Sequence, residues 1–364
     1  RCLREIPAEV VVRHRLGPAL ALEAQRRGEG WEVPLLWRKE LAAAAGRVLL
    51  FQHHLGEIAA TLGSAGVPWL PIKGMDLASR VYSRPEQRPT GDLDLLISAG
   101  DLTSARQALR DAGWQDRARG PRFERFLEAE AYCWQARHSD GTDLELHFRL
   151  WGTAPEGLAA AVLEASVPNT DLGPTARRPT LSDAYLLAAL HLWMDPPPRP
   201  VLAWWDLQRI AILDPTDLPT VVAETARRWH LDLPVLLAAE EASRLWPDGP
   251  HDTVAQALAK DLRGTERMLL RKARRQGTDG IHLAALALAR GLAGRPSRSG
   301  WKAALRRFWA HPGVVERETP ESWSWPTRRG WHLARQLRGS GRTRHIESKG
   351  PEEAGRMPPD IEER

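Results

Sequence analysis

Phe51, Leu55, Ile58 and Leu62 recur at helical spacing, so residues 51–62 predict an amphipathic helix that Gly66 stops. The preceding stretch, 1–48, carries a helical apolar pattern but no legible chemistry. After Gly66 the period changes. Val67–Ile72 is a short extended apolar run ending in Lys73-Gly74, Asp76–Val81 predicts a short helix, and Ser83–Gly91 is a polar loop with Pro85 and Pro89. Asp92–Ile97 alternates as a strand, and a helix over Leu102–Ala112 stops at Gly113. Tyr132–His138 and Asp143–Phe148 read as two strands of a hairpin turning through Ser139-Asp140-Gly141.

From Ser182 onward the pattern is helical. Ser182 is the expected cap of a helix reaching Met194, and Pro196–Pro198 breaks it. Asp217-Leu-Pro219 and Asp232-Leu-Pro234 open two more helices, with proline in the first turn where a missing N–H does no harm. Further helices are expected over 253–276 and 281–293. The chain is therefore expected to be α+β in its first half and all-helical in its second. The expected divisions are an N-terminal helical segment (1–48), an α+β domain with a small mixed sheet (49–152), a helical domain (180–294) and a basic, Trp-rich, partly disordered tail (295–364).

Composition adds three restrictions. No apolar stretch, Leu283–Ala289 included, approaches the roughly 20 residues of a membrane-spanning helix, so no transmembrane segment is expected. Cys2 and Cys133 are too few for a disulfide framework or a four-ligand zinc site, which points to a reducing, cytoplasmic setting. Residues 1–30 contain no apolar core of signal-peptide type. The formal charge is +5, yet twelve Arg or Lys residues stand against three acids between Arg295 and His345, leaving the rest slightly acidic. That segment also holds Trp301, Trp309, Trp323, Trp325 and Trp331. Basic plus aromatic reads either as a surface for nucleic acid or an anionic membrane, or as a solvated tail whose tryptophans cover the helices before it.

The densest chemistry lies in Lys73-Gly74 and in Arg88-Pro-Thr-Gly-Asp-Leu-Asp94. Strand side chains two apart share a face, so Asp92 and Asp94 stand together while Leu93, Leu95 and Ile97 point to the core. Like charges that close repel unless a cation lies between them, and a divalent metal is the simplest one. Replacing either aspartate by Asn should then relieve the metal-free protein. On the hairpin, Asp143, Glu145 and His147 share one face and Leu144, Leu146 and Phe148 the other. If this strand lies beside Asp92–Ile97, Glu145 adds a third carboxylate, enough to bridge two metals roughly 3.5–4 Å apart for an in-line phosphoryl or nucleotidyl displacement. Lys73 is expected to neutralise phosphate charge, with Gly74 and the following helix N-terminus admitting the anion, or else to be a surface lysine beside a turn. Arg88 either grips phosphate or pairs with Asp92. His147 is expected to support the acids rather than bind metal. His191 and Asp206 either contact the nucleotide or form a buried polar pair. His53 and His54 have nothing in the pattern to pair them.

The run Ile72-Lys-Gly, then Arg88-Pro-Thr-Gly-Asp-Leu-Asp-Leu-Leu-Ile97, then Leu144-Glu-Leu-His-Phe-Arg-Leu150, resembles the uncharacterised nucleotidyltransferase family of the polymerase-β-like superfamily. The resemblance covers roughly residues 45–240, its helical part around His191 and Trp204-Trp-Asp206 being the weaker. It makes 49–152 a nucleotidyltransferase catalytic domain. It implies transfer of an NMP from an NTP co-substrate with Mg²⁺ or Mn²⁺, Asp92, Asp94 and Glu145 as catalytic metal ligands, and Lys73, Gly74 and Arg88 as nucleotide-binding residues. Lys73-Gly74 stands where the superfamily usually has Gly-Ser, and Thr90 where the family pattern suggests Met. The acceptor implied is a biosynthetic peptide, a small molecule, a protein or an RNA hydroxyl. The alternative is a non-catalytic nucleotide- or nucleic-acid-binding protein that uses the basic tail.

Overall fold

The computed structural model describes residues 6–28, 33–117, 131–150, 157–194, 199–262, 264 and 267. The basic tail, the 281–293 helix, the far end of the 253–276 helix and the Pro196–Pro198 break lie outside them. Three helices open the chain: α1 (Ala8–Arg13), α2 (Gly17–Arg27) and α3 (Leu35–Ser64). The Phe51–Leu62 pattern thus belongs to a longer helix than its spacing announced. Its C-terminal signal holds, because Gly66 has φ +66°, where glycine carries no Cβ penalty.

A five-stranded sheet follows, built from β1 (Trp69–Pro71), β2 (Leu93–Ile97), β3 (Gln115–Asp116), β4 (Cys133–Arg137) and β5 (Asp143–His147) in the order β1-β2-β5-β4-β3. β2 and β5 are parallel, with Asp94 opposite Glu145; the remaining pairs are antiparallel. The expected hairpin is present, and Gly141 turns it at φ +91°. Helix α4 (Gly74–Arg80) links β1 to the loop before β2, and α5 (Leu102–Asp111) follows β2.

The strand alternation divides the core in two. Leu93, Leu95 and Ile97 of β2 and Leu144 and Leu146 of β5 pack with Phe51, Leu55, Ile58 and Leu62 of α3. Burying each such side chain is worth roughly 1.5–3 kcal/mol. Leu96, on the opposite face of β2, joins Leu70, Ile72, Leu77 and the C-terminal helices. β2 is therefore buried on both faces, and Asp94 is carried into the interior.

Beyond the sheet come α6 (Leu158–Ala165) and a small pairing of β6 (Val167–Pro168) with β7 (Arg177–Arg178) that no sequence pattern announced. Then α7 (Leu181–Met194), α8 (Val201–Ala211), α9 (Leu218–Arg228), α10 (Asp232–Leu245) and α11 (Pro250–Asp261) follow, so that the fold is α+β and its described elements from Leu181 onward are helices. The cap of α7 is Thr180 rather than Ser182: the Asp183 backbone N–H donates to Thr180 Oγ1 at 3.1 Å. Among the described residues no helix is long and apolar enough to cross a membrane.

Candidate active site

The parallel pairing of β2 with β5 fixes the acidic centre. With Asp94 opposite Glu145 and side chains alternating along both strands, the two carboxylates meet on the face toward the C-terminal helices. His147, two residues beyond Glu145 and fully buried, brings Nε2 to 2.9 Å from Asp94 Oδ1 and 3.5 Å from Glu145 Oε2. Gln135, opposite Glu145 on β4, donates to Glu145 Oε1 at 2.7 Å. Tyr132 stacks on the His147 ring at 5.7 Å. Asp94, Glu145 and His147 each offer a ligating atom within 4.8 Å of the others.

Asp92 enters through its charge. It is half-buried at the mouth of β2, and burial together with the charges of Asp94 and Glu145 pushes its carboxyl up to about 6. Asp94 goes the other way. Burial works to raise it, but Lys73, with Nζ 3.4 Å from Asp94 Oδ1, and the hydrogen bond from His147 hold it well below the usual carboxylate range. Glu145 is lowered as well, since the His147 hydrogen bond outweighs burial. His147 is raised: burial disfavours its cation, but hydrogen bonds to Asp94 and Glu145 overcome that cost. The repulsion expected between the two aspartates is thus concentrated on Asp92, because Asp94 already has the Lys73 ammonium and the His147 hydrogen bond beside it.

Lys73 and Gly74 lie where β1 gives way to α4. Lys73 has φ +54°, a region that costs a residue with a Cβ, and the strained turn brings its side chain over Asp94. Gly74 is required by close approach: a Cβ there would meet Thr90 Cγ2 at 2.6 Å. Lys73, Asp76, Arg88, His191 and Asp206 line one cleft, partly open to solvent, between α4 and helices α7 and α8. Burial and the Lys73 charge push the His191 imidazole down to about 3. Burial likewise raises Asp76 to about 6, although Arg80 pairs with it at 3.1 Å.

Arg88 does not pair with Asp92. Its Nε and Nη2 donate to the two oxygens of Asp206 at 2.9 and 2.8 Å, and Nη1 donates to the Gly74 carbonyl at 3.2 Å and Thr90 Oγ1 at 3.1 Å. Tyr82 also donates to Asp206, at 2.7 Å. Asp206 therefore pairs with the loop before β2, not with His191. Sequence reasoning missed Tyr82, whose only signal is an aromatic residue beside an Arg-rich loop. It also missed His54, whose partners Glu57 and Asp140 the fold brings to it.

Among the described residues, the ligating atoms that come together are those of Asp94, Glu145 and His147, with Asp92 close enough to feel their charge; the carboxylates of this group suit a hard divalent cation such as magnesium. A family model described as uncharacterised nucleotidyltransferase matches residues 8–247. Among solved structures, the chain is similar to the antibiotic-resistance factor ANT(2'')-Ia, with 15% identity over 51% of this chain and 95% of that chain, TM-score 0.36. It is similar also to an antigenic nucleotidyltransferase-like protein from Paracoccidioides brasiliensis, with 15% identity over 48% of this chain and 87% of that chain, TM-score 0.32. No curated protein matches the sequence.

Proposed function

The chain belongs to the uncharacterised nucleotidyltransferase family, and from that premise we propose that it transfers an NMP from an NTP to a hydroxyl acceptor with help from a divalent metal. The observation that carries this reading is the register of two parallel strands, which sets Asp94 against Glu145 with Asp92 two residues away and Lys73 Nζ at 3.4 Å. Asp92, Asp94 and Glu145 would hold Mg²⁺ or Mn²⁺. Bound there, the metal supplies positive charge that polarises the attacking hydroxyl and offsets the triphosphate.

The chain's own groups do the rest. Lys73 would leave Asp94 for the phosphates, a compact cation exchanging one anion for another. Gly74, packed against Thr90, keeps that turn narrow enough for the anion to approach backbone. Arg88 lines the same cleft with its hydrogen bonds spent on Asp206, so it adds positive charge and steadies the Gly74 carbonyl. His147 holds Asp94 and Glu145 apart in fixed orientations. In the transfer one P–O bond forms from the acceptor oxygen to the α-phosphorus as the α–β bridge breaks. Pyrophosphate leaves, and the hydroxyl proton departs toward the carboxylate cluster.

The acceptor classes this reading admits are a biosynthetic peptide, a small molecule, a protein and an RNA hydroxyl. The test incubates the protein with each α-labelled NTP, Mg²⁺ or Mn²⁺ and these acceptors, and measures transferred label and pyrophosphate. Equimolar label and pyrophosphate, both lost in Asp92→Asn, support the reading. Transfer that persists in Asp92→Asn and Glu145→Gln, or nucleotide binding indifferent to the metal, sinks it.

A further inference from the structure

On the far side of the sheet from the cleft, helix α3 and the β4–β5 turn bring together a second set of ligating side chains. His54, 1% exposed on α3, directs Nε2 at Asp140 Oδ2, 2.7 Å away, and Nδ1 at Glu57 Oε2, 3.0 Å away. His138, the last residue before the turn, places Nδ1 3.2 Å from the same Asp140 oxygen. His54, His138 and Asp140 each offer a ligating atom within 4.8 Å of the others. We propose that His54, His138 and Asp140 form a zinc site that ties helix α3 to the β4–β5 hairpin, remote from the acidic centre.

Four features argue for a built site rather than a chance meeting. The first is the donor set: two imidazoles and a carboxylate suit zinc, whereas magnesium takes oxygen donors. Spacing is the second. Ligands about 2.0–2.1 Å from a tetrahedral zinc lie about 3.4 Å from one another, so the 2.7 and 3.2 Å separations need to widen only slightly. The outer partners are the third feature. Glu57 takes the Nδ1–H of His54, the carboxylate–histidine arrangement that presents Nε2 to a metal. The Thr142 backbone N–H donates to Asp140 Oδ1 at 2.9 Å, leaving Oδ2 for the site.

The fourth feature is how the His138 ring is held. Its Nε2 backs onto Gly113, where a Cβ would come within 3.6 Å, so Nδ1 is the nitrogen turned inward. Trp114, 2% exposed, packs edge-on against His54 at 5.2 Å and tilted against His138 at 5.3 Å, walling the floor with apolar surface. Carboxylates thus face both His54 nitrogens, at 3.0 Å on Nδ1 and 2.7 Å on Nε2. Zinc at Nε2 would displace to solvent any proton carried there. The fourth position, toward the half-exposed Asp140, is open to water.

The test titrates Zn²⁺ into chelator-stripped full-length protein against a chromophoric zinc chelator, with excess Mg²⁺ present to fill the acidic centre. One zinc per chain is expected. Asp140→Asn and His138→Ala, at the turn of the hairpin, should each weaken binding by tenfold or more, and Glu57→Gln by about 10- to 100-fold. Asp92→Asn should leave zinc affinity unchanged, which separates this site from the proposed metal of transfer. Cobalt substitution should give the visible bands of a four-coordinate site in the wild type and not in Asp140→Asn. No stoichiometric zinc under excess Mg²⁺, or equal affinity in His138→Ala and Asp140→Asn, overturns the proposal and leaves these groups as a hydrogen-bonded brace.

Discussion

Arg88 and Asp206 form a two-pronged ion pair, 2.9 and 2.8 Å, that joins the loop before β2 to helix α8 across 118 residues of sequence. Both are buried, and burial alone would disfavour the Arg88 cation; Asp206 raises it above its ordinary value instead. Since Arg88 also donates to the Gly74 carbonyl, the pair links the packing of the helical half to the turn that carries Lys73. Removing one partner leaves a charge buried without its counter-ion, while replacing both with apolar groups need not. Asp206→Leu is therefore expected to lower stability by about 3–5 kcal/mol, and Arg88→Met with Asp206→Leu by much less. Urea denaturation of both single variants and the double variant measures the coupling. A double variant as unstable as the sum of the singles would show that the two side chains act independently.

Asp92 and Asp94 should respond to Asn substitution with opposite signs. The folded pKa of Asp92, about 6, stands above the unfolded value near 4, so the folded chain holds the extra proton between those pH values. The stability this contributes is full below pH 4 and is lost as pH rises through about 6. Asp92→Asn should therefore gain on the order of 1–2 kcal/mol over wild type at pH 7, allowing for solvent screening at a half-buried group, and nothing at pH 4. Asp94 is depressed instead, so its contribution is present above the unfolded pKa and lost as pH falls through the folded one. Asp94→Asn should be destabilised by about 1.5–3 kcal/mol at pH 7, because Lys73 and His147 lose their shared anion. The relief expected of either substitution is therefore predicted for Asp92→Asn and not for Asp94→Asn. Thermal melts of both variants from pH 4 to 8 check the signs, and a stabilised Asp94→Asn would refute the partnered role of Asp94.

Lys73 separates charge from backbone strain. Loss of its ammonium should weaken NTP binding by about 10- to 150-fold, the equivalent of a charge-assisted hydrogen bond of about 1.5–3 kcal/mol. Lys73→Arg should rescue poorly, because a planar fork cannot replace a compact ammonium beside Gly74. At φ +54° a glycine is also relieved of a Cβ penalty of about 1–2 kcal/mol. Lys73→Gly and Lys73→Ala should thus bind nucleotide equally weakly while Lys73→Gly melts higher. Nucleotide titrations and melts of the three variants read both effects, and unchanged affinity in Lys73→Ala would leave the residue as the counter-ion of Asp94 only.

The parts of this site that the sequence disclosed are those fixed by local period. Alternation in Asp92–Ile97 and Asp143–Phe148 placed the acids on one face, and the turn residues Gly66, Gly113 and Gly141 marked element ends correctly because each takes positive φ. What stayed hidden depends on contacts between distant segments. Nothing local distinguishes Arg88 pairing with Asp206 from Arg88 pairing with Asp92, since an arginine reaches either and only tertiary packing chooses. His54 gave no signal for the same reason: its partner Asp140 is 86 residues away in sequence. The helical pattern before Phe51 is part of the same helix: Trp37, Ala44, Val48 and Phe51 stand seven, four and three residues apart, in phase with Leu55, Ile58 and Leu62, and only the continuity of the two stretches went unread.

Gly74 and Thr90 provide the last prediction, in which shape rather than charge is changed. A Cβ on residue 74 would lie 2.6 Å from Thr90 Cγ2, closer than packed carbons tolerate, while its next neighbours, Thr90 Oγ1 and the Asp92 carbonyl, stand at a comfortable 3.6 Å. Gly74→Ala should therefore cost about 1–3 kcal/mol of stability through overpacking. Thr90→Ser removes only the offending methyl and keeps the hydroxyl that accepts from Arg88 Nη1. Added to Gly74→Ala, it should restore most of the lost stability, although Thr90→Ser alone is expected to be mildly destabilising through the buried methyl it deletes. Nucleotide affinity should behave differently. If the narrow turn exists to admit phosphate, the alanine methyl still crowds the anion after the clash with Thr90 is gone, so the double variant should fold well and bind NTP poorly. Melting temperature and NTP affinity measured on the two single variants and the double variant distinguish these effects. Recovery of both together would mean that Gly74 serves only its packing against Thr90.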